Sequence, residues 1–488
     1  MDRIRLRPLL FASVGVVAAL AGASCGKTHS GDDQAGNDGS NQFHQDACAG
    51  IGCNITNCQG MGMQPTSIMG TVFAPNGKLP LYDVNVYIPG SDPGAFTDGV
   101  QCSRCSDALP GNPIVTAVTG TDGSFELDNI PDGDNIPVVV TIGKWRRQLV
   151  LPHVGACTQT MIANADTTLP KSRTDMSPST KSVDLPKIAV STGGADALEC
   201  LIRKLGIDDK EISTLGEDGQ IHLYADTKAK NGGEGAASFA GGFAGGTGKF
   251  ADSQTLWGTT EGAGGSNNGD LSTYDIVILS CEGGQHEETK NQAAMDNLKA
   301  YADIGGRVFM SHWHNIWIEG DTENSDGKTK PMVWPALATF NDNSDDPPKN
   351  TVDVIDETHN PKGSDFATWM QDPQVMGSTT RDDIAIEDGT QKETCTSVED
   401  ANVERWVNLA PAGSDAPQMF QFETPNEVDP SNRCGKVVFS DMHVSGDSSS
   451  PHGGTFPTGC AASDLTPQEK ALAFMFFDIS SCAGAPIE

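Results

Sequence analysis

The hydrophobic pattern of the chain changes once, near Leu185, from the two-residue period of β-strands to alternating strands and helices. Upstream, apolar and polar residues alternate in short runs, whereas downstream short apolar runs are followed by segments with helical spacing. Residues 161–185, rich in Thr, Ser, Asp and Lys, separate the two patterns. The sequence therefore predicts a multidomain protein, with a β-sandwich at 67–160, a linker at 161–185 and an α/β domain at 186–488.

The first pattern predicts short strands that are joined by tight turns. Asn76-Gly77, Asp122-Gly123 and Asp132-Gly133 are turn signals, because glycine tolerates the left-handed backbone that such turns require. The predicted strands are 67–73, 84–88, 115–119, 124–127 and 138–142. Strands and turns at this spacing are typical of a β-sandwich.

Three pieces of this segment resemble the carboxypeptidase regulatory-like domain, a transthyretin-like β-sandwich. They are Gly70-Thr71-Val72, Thr121-Asp122-Gly123-Ser124-Phe125 and Ile130-Pro131-Asp132-Gly133. The resemblance implies an accessory or adhesion module rather than a catalyst. A Pro/Gly/Cys-rich insertion between Pro89 and Pro113 departs from the family pattern.

The second pattern predicts a flavodoxin-like α/β fold, with a parallel sheet and helices on both faces. The predicted strands are 187–191, 275–280, 307–311 and 436–440, and the predicted helices are 195–205, 293–304 and 466–477. Long loop insertions are expected at about 227–270 and 320–430.

The N-terminus predicts export. Three arginines precede an apolar run at 9–20, which is too short for a comfortable transmembrane helix, and small residues then lead to Cys25. This arrangement resembles the lipobox of bacterial lipoproteins, although Gly22 stands where that family favours leucine. The resemblance implies a signal peptide at 1–24, lipidation of Cys25 and a Cys-containing tether at 25–66. Ordinary secretion is the alternative.

Cysteine usage and charge agree with an extracytoplasmic protein. Twelve of the 13 cysteines remain after Cys25 is set aside, an even number that suits disulfides. We expect Cys102 and Cys105 to form structural disulfides rather than a redox or zinc pair. Local pairings would join Cys460 to Cys482 and Cys395 to Cys434, and a disulfide of Cys281 would join it to Cys200. The formal net charge of -33 excludes nucleic acid as a natural partner.

Three predicted strand ends resemble the class I glutamine amidotransferase-like superfamily, including its ThuA-like branch. They are Tyr274–Gly284 (YDIVILSCEGG), Tyr301–His314 (YADIGGRVFMSHWH) and Gly435–Ser445 (GKVVFSDMHVS). The resemblance implies an oxyanion turn, a nucleophile strand and a late strand that bears a catalytic histidine, His443. The family's nucleophilic cysteine is absent, because Met310-Ser311-His312 occupies its place. This departure puts glutamine hydrolysis in doubt.

Two kinds of chemistry remain possible at these strand ends. Ser311 is a candidate nucleophile with His312 or His443 as its base, oriented by Asp441 or Glu282. Alternatively, His312, His314 and His443, together with Asp441, are candidate ligands for zinc or iron. His312 and His314 would share a face if the strand continued through Trp313. The candidate binding residues are Glu282, Gly283, Gly284, Trp313 and Asp441.

The sequence leaves two functional hypotheses open. The first is a non-catalytic lipoprotein of the cell envelope, anchored to the outer membrane or in the periplasm, that binds a glycan or an envelope protein. The second is an extracytoplasmic hydrolase or metal-dependent enzyme that acts on a carbohydrate or amide. No cofactor is indicated beyond the possible metal.

Overall fold

The computed structural model describes residues 50–226, 235–258, 269–319, 333–334, 337–341, 352–387, 392–410, 416–444, 454–460 and 464–484. The predicted signal peptide, the Cys25 lipidation site and most of the tether lie outside these residues. Residues from Cys48 onward form one compact unit. None of the described helices has the length and apolar character of a membrane span.

Eight strands form the first part of this unit, including all five that the sequence predicted. They are β1 (Ser67–Thr71), β2 (Asn85–Pro89), β3 (Pro113–Val118), β4 (Ser124–Asp128), β5 (Gly133–Ile142), β6 (Trp145–Val154), β7 (Gln159–Met161) and β8 (Thr180–Asp184). They make a three-stranded sheet, β4-β1-β7, and a five-stranded sheet, β3-β2-β5-β6-β8. Apolar residues from both sheets, including Ile68, Leu127, Val86 and Val138, share one core, so this part is a β-sandwich.

The segment 161–185 corrects the expectation of a linker. It contains the short helix α1 (Asn164–Thr167), and β8 pairs with β6 in the larger sheet of the sandwich. The buried guanidinium of Arg147 donates a hydrogen bond of 2.7 Å to Asp175 in this segment. The polar composition of this segment suggested a linker. Its polar residues instead form hydrogen bonds with groups that would otherwise be buried without partners.

The strands that follow build a large mixed sheet and two small ribbons. They are β9 (Ile188–Ser191), β10 (Ile212–Ser213), β11 (Ile221–Ala225), β12 (Ser238–Phe239), β13 (Ala251–Asp252), β14 (Ile276–Leu279), β15 (Arg307–Ser311), β16 (Ala338–Phe340), β17 (Val352–Ile355), β18 (Asp383–Ala385), β19 (Cys395–Val398), β20 (Glu404–Ala410), β21 (Pro417–Thr424), β22 (Gly435–Ser440) and β23 (Thr455–Phe456). The path through the described part of the 11-stranded sheet is β10-β11-β9-β14-β15-β22-β21-β20-β17-β18, with β13 beside β11.

This sheet is parallel in one half and antiparallel in the other. The six neighbouring strands β10, β11, β9, β14, β15 and β22 run parallel to one another. The next four strands along the sheet, β21, β20, β17 and β18, are antiparallel to their neighbours. The expected parallel sheet is therefore correct for one half only. The expected loop at 320–430 is wrong where residues 352–424 supply the antiparallel strands. Residues 227–234 and 259–268 of the other expected loop lie outside the described residues.

Alternating side chains of the parallel strands serve two cores, one on each face of the sheet. Ile276 and Ile278 of β14 join the core that continues into the sandwich, whereas Val277 and Leu279 join the core on the opposite face. This follows from the two-residue period of a strand. The helices that cover the faces are α2 (Leu198–Lys204), α3 (Ser253–Trp257), α4 (Gln292–Asp303), α5 (Ile316–Glu319), α6 (Gly363–Gln371) and α7 (Pro467–Asp478). Buried residues of α2, α6 and α7 belong to the first core, and those of α3, α4 and α5 to the second.

Disulfides join distant parts of the described chain. The pairs are Cys58–Cys157, Cys102–Cys434, Cys105–Cys482 and Cys200–Cys460, and Cys53 is also disulfide-bonded. The expected local pairings were wrong, and Cys281 and Cys395 are free and buried. The expectation of structural disulfides at Cys102 and Cys105 is confirmed, because each bonds to a remote cysteine: Cys434, which precedes β22, and Cys482, which follows the helix Pro467–Asp478.

The Cys105–Cys482 disulfide should contribute measurably to stability. We expect the double variant Cys105→Ala/Cys482→Ala to lose about 2–4 kcal/mol in its free energy of unfolding, since the bond restrains the unfolded chain. Because the Cys102–Cys434 disulfide remains, the loop that this bond closes in the unfolded chain is made of residues 102–105 and 434–482. Urea unfolding of the variant and the wild type measures the loss, and Cys395→Ala, which removes an unpaired thiol, is the control. Equal stabilities of the double variant and the wild type would contradict the prediction.

Candidate functional site

Three neighbouring parallel strands end together at the carboxyl edge of the large sheet. β14, β15 and β22 lie side by side, with Leu279 opposite Met310 and Ser311 opposite Ser440. The residues that follow these strands include Cys281, His312 and His443. The carboxyl edge is where α/β sheets bind their ligands, and these side chains meet there.

Cys281 and His312 are in direct contact. The Cys281 Sγ lies 3.4 Å from His312 Nδ1, and the backbone N–H of Gly283 donates to the same sulfur over 3.4 Å. His312 adopts a φ of 42°, in the left-handed region that is uncommon for a residue with a side chain. This turn ends β15 and begins a short 3-10 helix at His312–Asn315. The turn therefore brings the imidazole beside the cysteine on the neighbouring strand.

His443 completes a cluster of three potential metal ligands. One ligand atom from each of Cys281, His312 and His443 lies within 4.8 Å of the others. The two imidazole centroids are 5.0 Å apart, and the three residues are 0%, 1% and 2% exposed. Within the described part of the chain, His443 Nε2 has no hydrogen-bond partner. Burial, helped by His312, lowers the pKa of His443 well below its usual range, so the ring is neutral at neutral pH. A neutral imidazole has a lone pair to offer a metal.

Asp441 holds a neighbouring segment against this edge. Its carboxylate accepts hydrogen bonds from the backbone N–H of Thr394 at 2.9 Å, the Thr394 hydroxyl at 2.8 Å and the backbone N–H of Cys395 at 3.0 Å. Burial raises the pKa of Asp441, although nearby His312 and these donors oppose the shift. Both carboxylate oxygens are thus engaged in positioning residues 394–395.

Ser311 belongs to a separate carboxylate network. Its hydroxyl donates to Asp196 Oδ2 over 2.7 Å, and Asp196 Oδ1 accepts from the backbone N–H of Val444 at 2.9 Å. The hydroxyl therefore donates to a carboxylate, whereas a serine nucleophile would donate to its imidazole base. This network links the segment after β9 to the ends of β15 and β22.

A third carboxyl group, Glu199 of α2, lies near Asp196. Burial, together with the charges of Asp196 and Asp226, raises the pKa of Glu199 to about 8 against an opposing backbone hydrogen bond. A buried carboxyl with this pKa is mostly protonated at neutral pH. Glu199 therefore adds little negative charge to the base of the site at that pH.

His314 is not part of the metal-ligand cluster. Its Nε2 lies 3.0 Å from the carbonyl oxygen of Ser280, and its Nδ1 accepts a hydrogen bond of 2.9 Å from Trp317 Nε1. Both ring nitrogens are therefore occupied by structural contacts. His312 and His314 would share a strand face only if the strand continued through Trp313, and this condition is not met, because β15 ends at Ser311 and a 3-10 helix begins at His312.

The remaining predicted binding residues frame the cluster. Glu282 forms a fully buried ion pair of 2.7 Å with Lys290, which fixes the turn after Cys281. Gly283 has a φ of 76° in this turn, and its N–H reaches the sulfur. Gly283 is exposed, and Gly284, which follows it, is half-buried. The half-buried ring of Trp313 lies against His312, with their centroids 4.7 Å apart.

Sequence reasoning missed Cys281 as a functional candidate. Its position just after a buried strand, at the same predicted edge as two histidines, was the available signal. The even cysteine count instead suggested that it formed a disulfide. Asp196, which follows Gly193-Gly194 after β9, was missed for lack of a recognised motif.

The comparisons with known proteins do not assign a family. No family model matches the chain, and no curated protein matches it. One solved chain from an N-terminal interface mutant of a type II cohesin–X-dockerin complex of Acetivibrio cellulolyticus is 17% identical, covers 31% of this chain and 78% of its own, and has a TM-score of 0.15. A C-terminal interface mutant of the same complex gives 16% identity, coverages of 32% and 79%, and a TM-score of 0.14. At these TM-scores, the likenesses assign neither fold nor function.

Proposed function

We propose that this chain is an exported envelope protein that binds one transition-metal ion through Cys281, His312 and His443. The observation that carries the proposal is the convergence of one thiol and two imidazoles within 4.8 Å at the carboxyl edge of the sheet. Thiolate and imidazole are ligands that suit zinc, copper and related ions. This proposal develops the metal-dependent alternative that the sequence left open.

The scaffold supports a preformed site. The three ligands follow adjacent hydrogen-bonded strands, so their backbones are fixed before an ion binds. The Glu282–Lys290 pair holds one side of the site and Asp441 holds the other. Such supporting contacts orient metal ligands and are a usual part of metal centres.

We also propose that the parallel half of the sheet is related to the amidotransferase-like superfamily. Five parallel strands, β11-β9-β14-β15-β22, have the order 2-1-3-4-5 when numbered along the chain, which is the flavodoxin-like order. His312 occupies a strand-to-helix turn where that superfamily carries its nucleophile. We infer that this half derives from such a fold and has exchanged the nucleophile for a metal ligand.

A thiol-dependent hydrolase is the second candidate. The contact of 3.4 Å between Cys281 Sγ and His312 Nδ1 is close to the geometry of a cysteine nucleophile and its base. In this case an alkylating reagent such as iodoacetamide would modify Cys281 and abolish hydrolysis of an amide or carbohydrate ester. If the site binds a metal ion, added zinc should protect Cys281 from alkylation by iodoacetamide. If Cys281 is instead a nucleophile without a metal, iodoacetamide should modify it to the same extent with and without added zinc.

We also propose envelope localisation with a lipid on Cys25. The disulfides support an oxidising compartment. The β-sandwich would then serve as the module that contacts a glycan or an envelope protein. Incorporation of labelled palmitate into the expressed chain, lost in Cys25→Ser, tests the anchor.

Metal content tests the main proposal. The mature chain with Cys25→Ser, equilibrated with zinc and freed of excess ion, should retain about one zinc per chain. Cys281→Ala, His312→Ala and His443→Ala should each weaken binding by about 100-fold, since each removes one of three ligands.

Two matched variants control for the chemical change alone. Cys395→Ala removes the other free buried thiol, and His153→Ala removes an exposed imidazole of the sandwich, so both should keep full zinc binding. Circular dichroism and thermal unfolding establish that each variant is folded. A folded wild type that retains no zinc, copper or iron would contradict the proposal.

A further inference from the structure

We infer that the ion at this site is copper, held in a three-coordinate arrangement by the thiolate of Cys281 and the imidazoles of His312 and His443. The inference rests on the proposed metal site and adds the identity of its metal. One thiolate and two imidazoles form the ligand set of trigonal copper centres, in which a fourth ligand is weak and distant.

The neighbouring polar groups argue against a closed four-ligand zinc site among the described residues. Asp441 uses its two oxygens for Thr394 and Cys395, and Ser311 donates to Asp196. His314 has both nitrogens engaged by Ser280 and Trp317. Structural zinc is almost always bound by four protein ligands, and the described chain offers three, so this set suits an open zinc site or a trigonal copper centre rather than a closed structural zinc site.

The surroundings of the sulfur suit a copper–thiolate bond. Cys281 is 0% exposed, and the Gly283 N–H points to its Sγ over 3.4 Å. A hydrogen bond to the sulfur and exclusion of the sulfur from solvent are among the features by which proteins adjust copper–thiolate centres. Copper(II) also stands above zinc in the general order of affinity for nitrogen and sulfur ligands.

The experiment titrates the full mature chain with Cu(II) in the absence of oxygen and follows visible absorption. We expect an intense thiolate-to-Cu(II) charge-transfer band that saturates at one equivalent, and displacement of zinc when equimolar copper is added to the zinc-loaded protein. Cys281→Ser should abolish the band, whereas Cys395→Ala should keep it. This pair of variants assigns the band to Cys281 rather than to the other free thiol.

The outcomes separate this inference from the proposed function. A chain that binds one zinc but gives no charge-transfer band, or keeps its zinc against copper, would overturn the copper assignment and leave the metal site intact. A band that persists in Cys281→Ser would also overturn it. A folded chain that binds neither ion would overturn both proposals.

Discussion

Replacement of Lys290 with methionine should destabilise the protein by about 3–5 kcal/mol, because it leaves the Glu282 carboxylate buried without its counterion. The side chains of Lys290 and Glu282 are 0% and 1% exposed, and their charged atoms are 2.7 Å apart. The Lys290 ammonium also donates to the carbonyl oxygen of Gln285 over 2.9 Å, so the variant frees this turn as well. Urea unfolding of the wild type and Lys290→Met measures the loss.

Two further variants distinguish an unpaired buried charge from a general loss of packing. Lys290→Met/Glu282→Leu removes both charges and should recover most of the lost stability, since an apolar pair can replace a buried ion pair. Lys78→Met breaks an exposed pair with Asp464, whose side chains are 69% and 84% exposed, and should remain near the wild-type stability. If Lys290→Met were as stable as Lys78→Met, the buried pair would not have the importance that we assign to it.

Four strands of the parallel half, β9, β14, β15 and β22, could be predicted because their apolar runs are bounded by clear turn and helix signals, whereas the sequence did not predict β10, β11 and β13. β14 is buried on both faces, as its continuous Ile-Val-Ile-Leu sequence indicates, and α4 begins with an Asn291 cap. The five predicted strands of the sandwich could be identified because apolar and polar residues alternate along each of them and turn signals separate them. In these segments the local pattern and the tertiary environment agree.

The antiparallel half could not be predicted because buried polar residues interrupt its apolar pattern. β21 contains the buried Gln418 and Gln421 beside the buried Met419, Phe420 and Phe422. Pairing with neighbouring strands satisfies the backbone, and this contribution is invisible in a pattern of side chains. The segment was consequently assigned to a loop.

The candidate site was predictable in its location and less so in its members. The carboxyl ends of predicted strands indicated His312 and His443, and the structure brings both together. The exchange of His314 for Cys281 depends on the positive φ of His312, which turns the chain out of the strand. A left-handed conformation at a histidine has no reliable sequence signal, so the sequence could not show that the chain turns at His312 and carries His314 away from the cluster.

Glu199→Gln should remove a large pH-dependent loss of stability. Burial raises the pKa of Glu199 to about 8 from 4.5, so the folded protein holds its proton more firmly than the unfolded chain does. The resulting stability is full below the unfolded value of 4.5 and is lost as the pH rises through about 8. The total loss is on the order of 5 kcal/mol, at about 1.4 kcal/mol for each pH unit of the shift.

Glutamine has a similar shape and does not titrate, so the difference between the variant and the wild type isolates this carboxyl. We expect similar unfolding free energies at about pH 5 and an advantage of several kcal/mol for Glu199→Gln at about pH 9, where the wild-type carboxylate is ionised beside Asp196 and Asp226. Glu126→Gln, at an exposed position of β4, is the control and should follow the wild type at both pH values. A difference between Glu199→Gln and the wild type that does not grow with pH would mean that Glu199 is already ionised in the folded protein. The ionised Glu199 would then repel the Asp196 carboxylate, which accepts hydrogen bonds from Ser311 and Val444. A neutral Glu199 would exert no such repulsion.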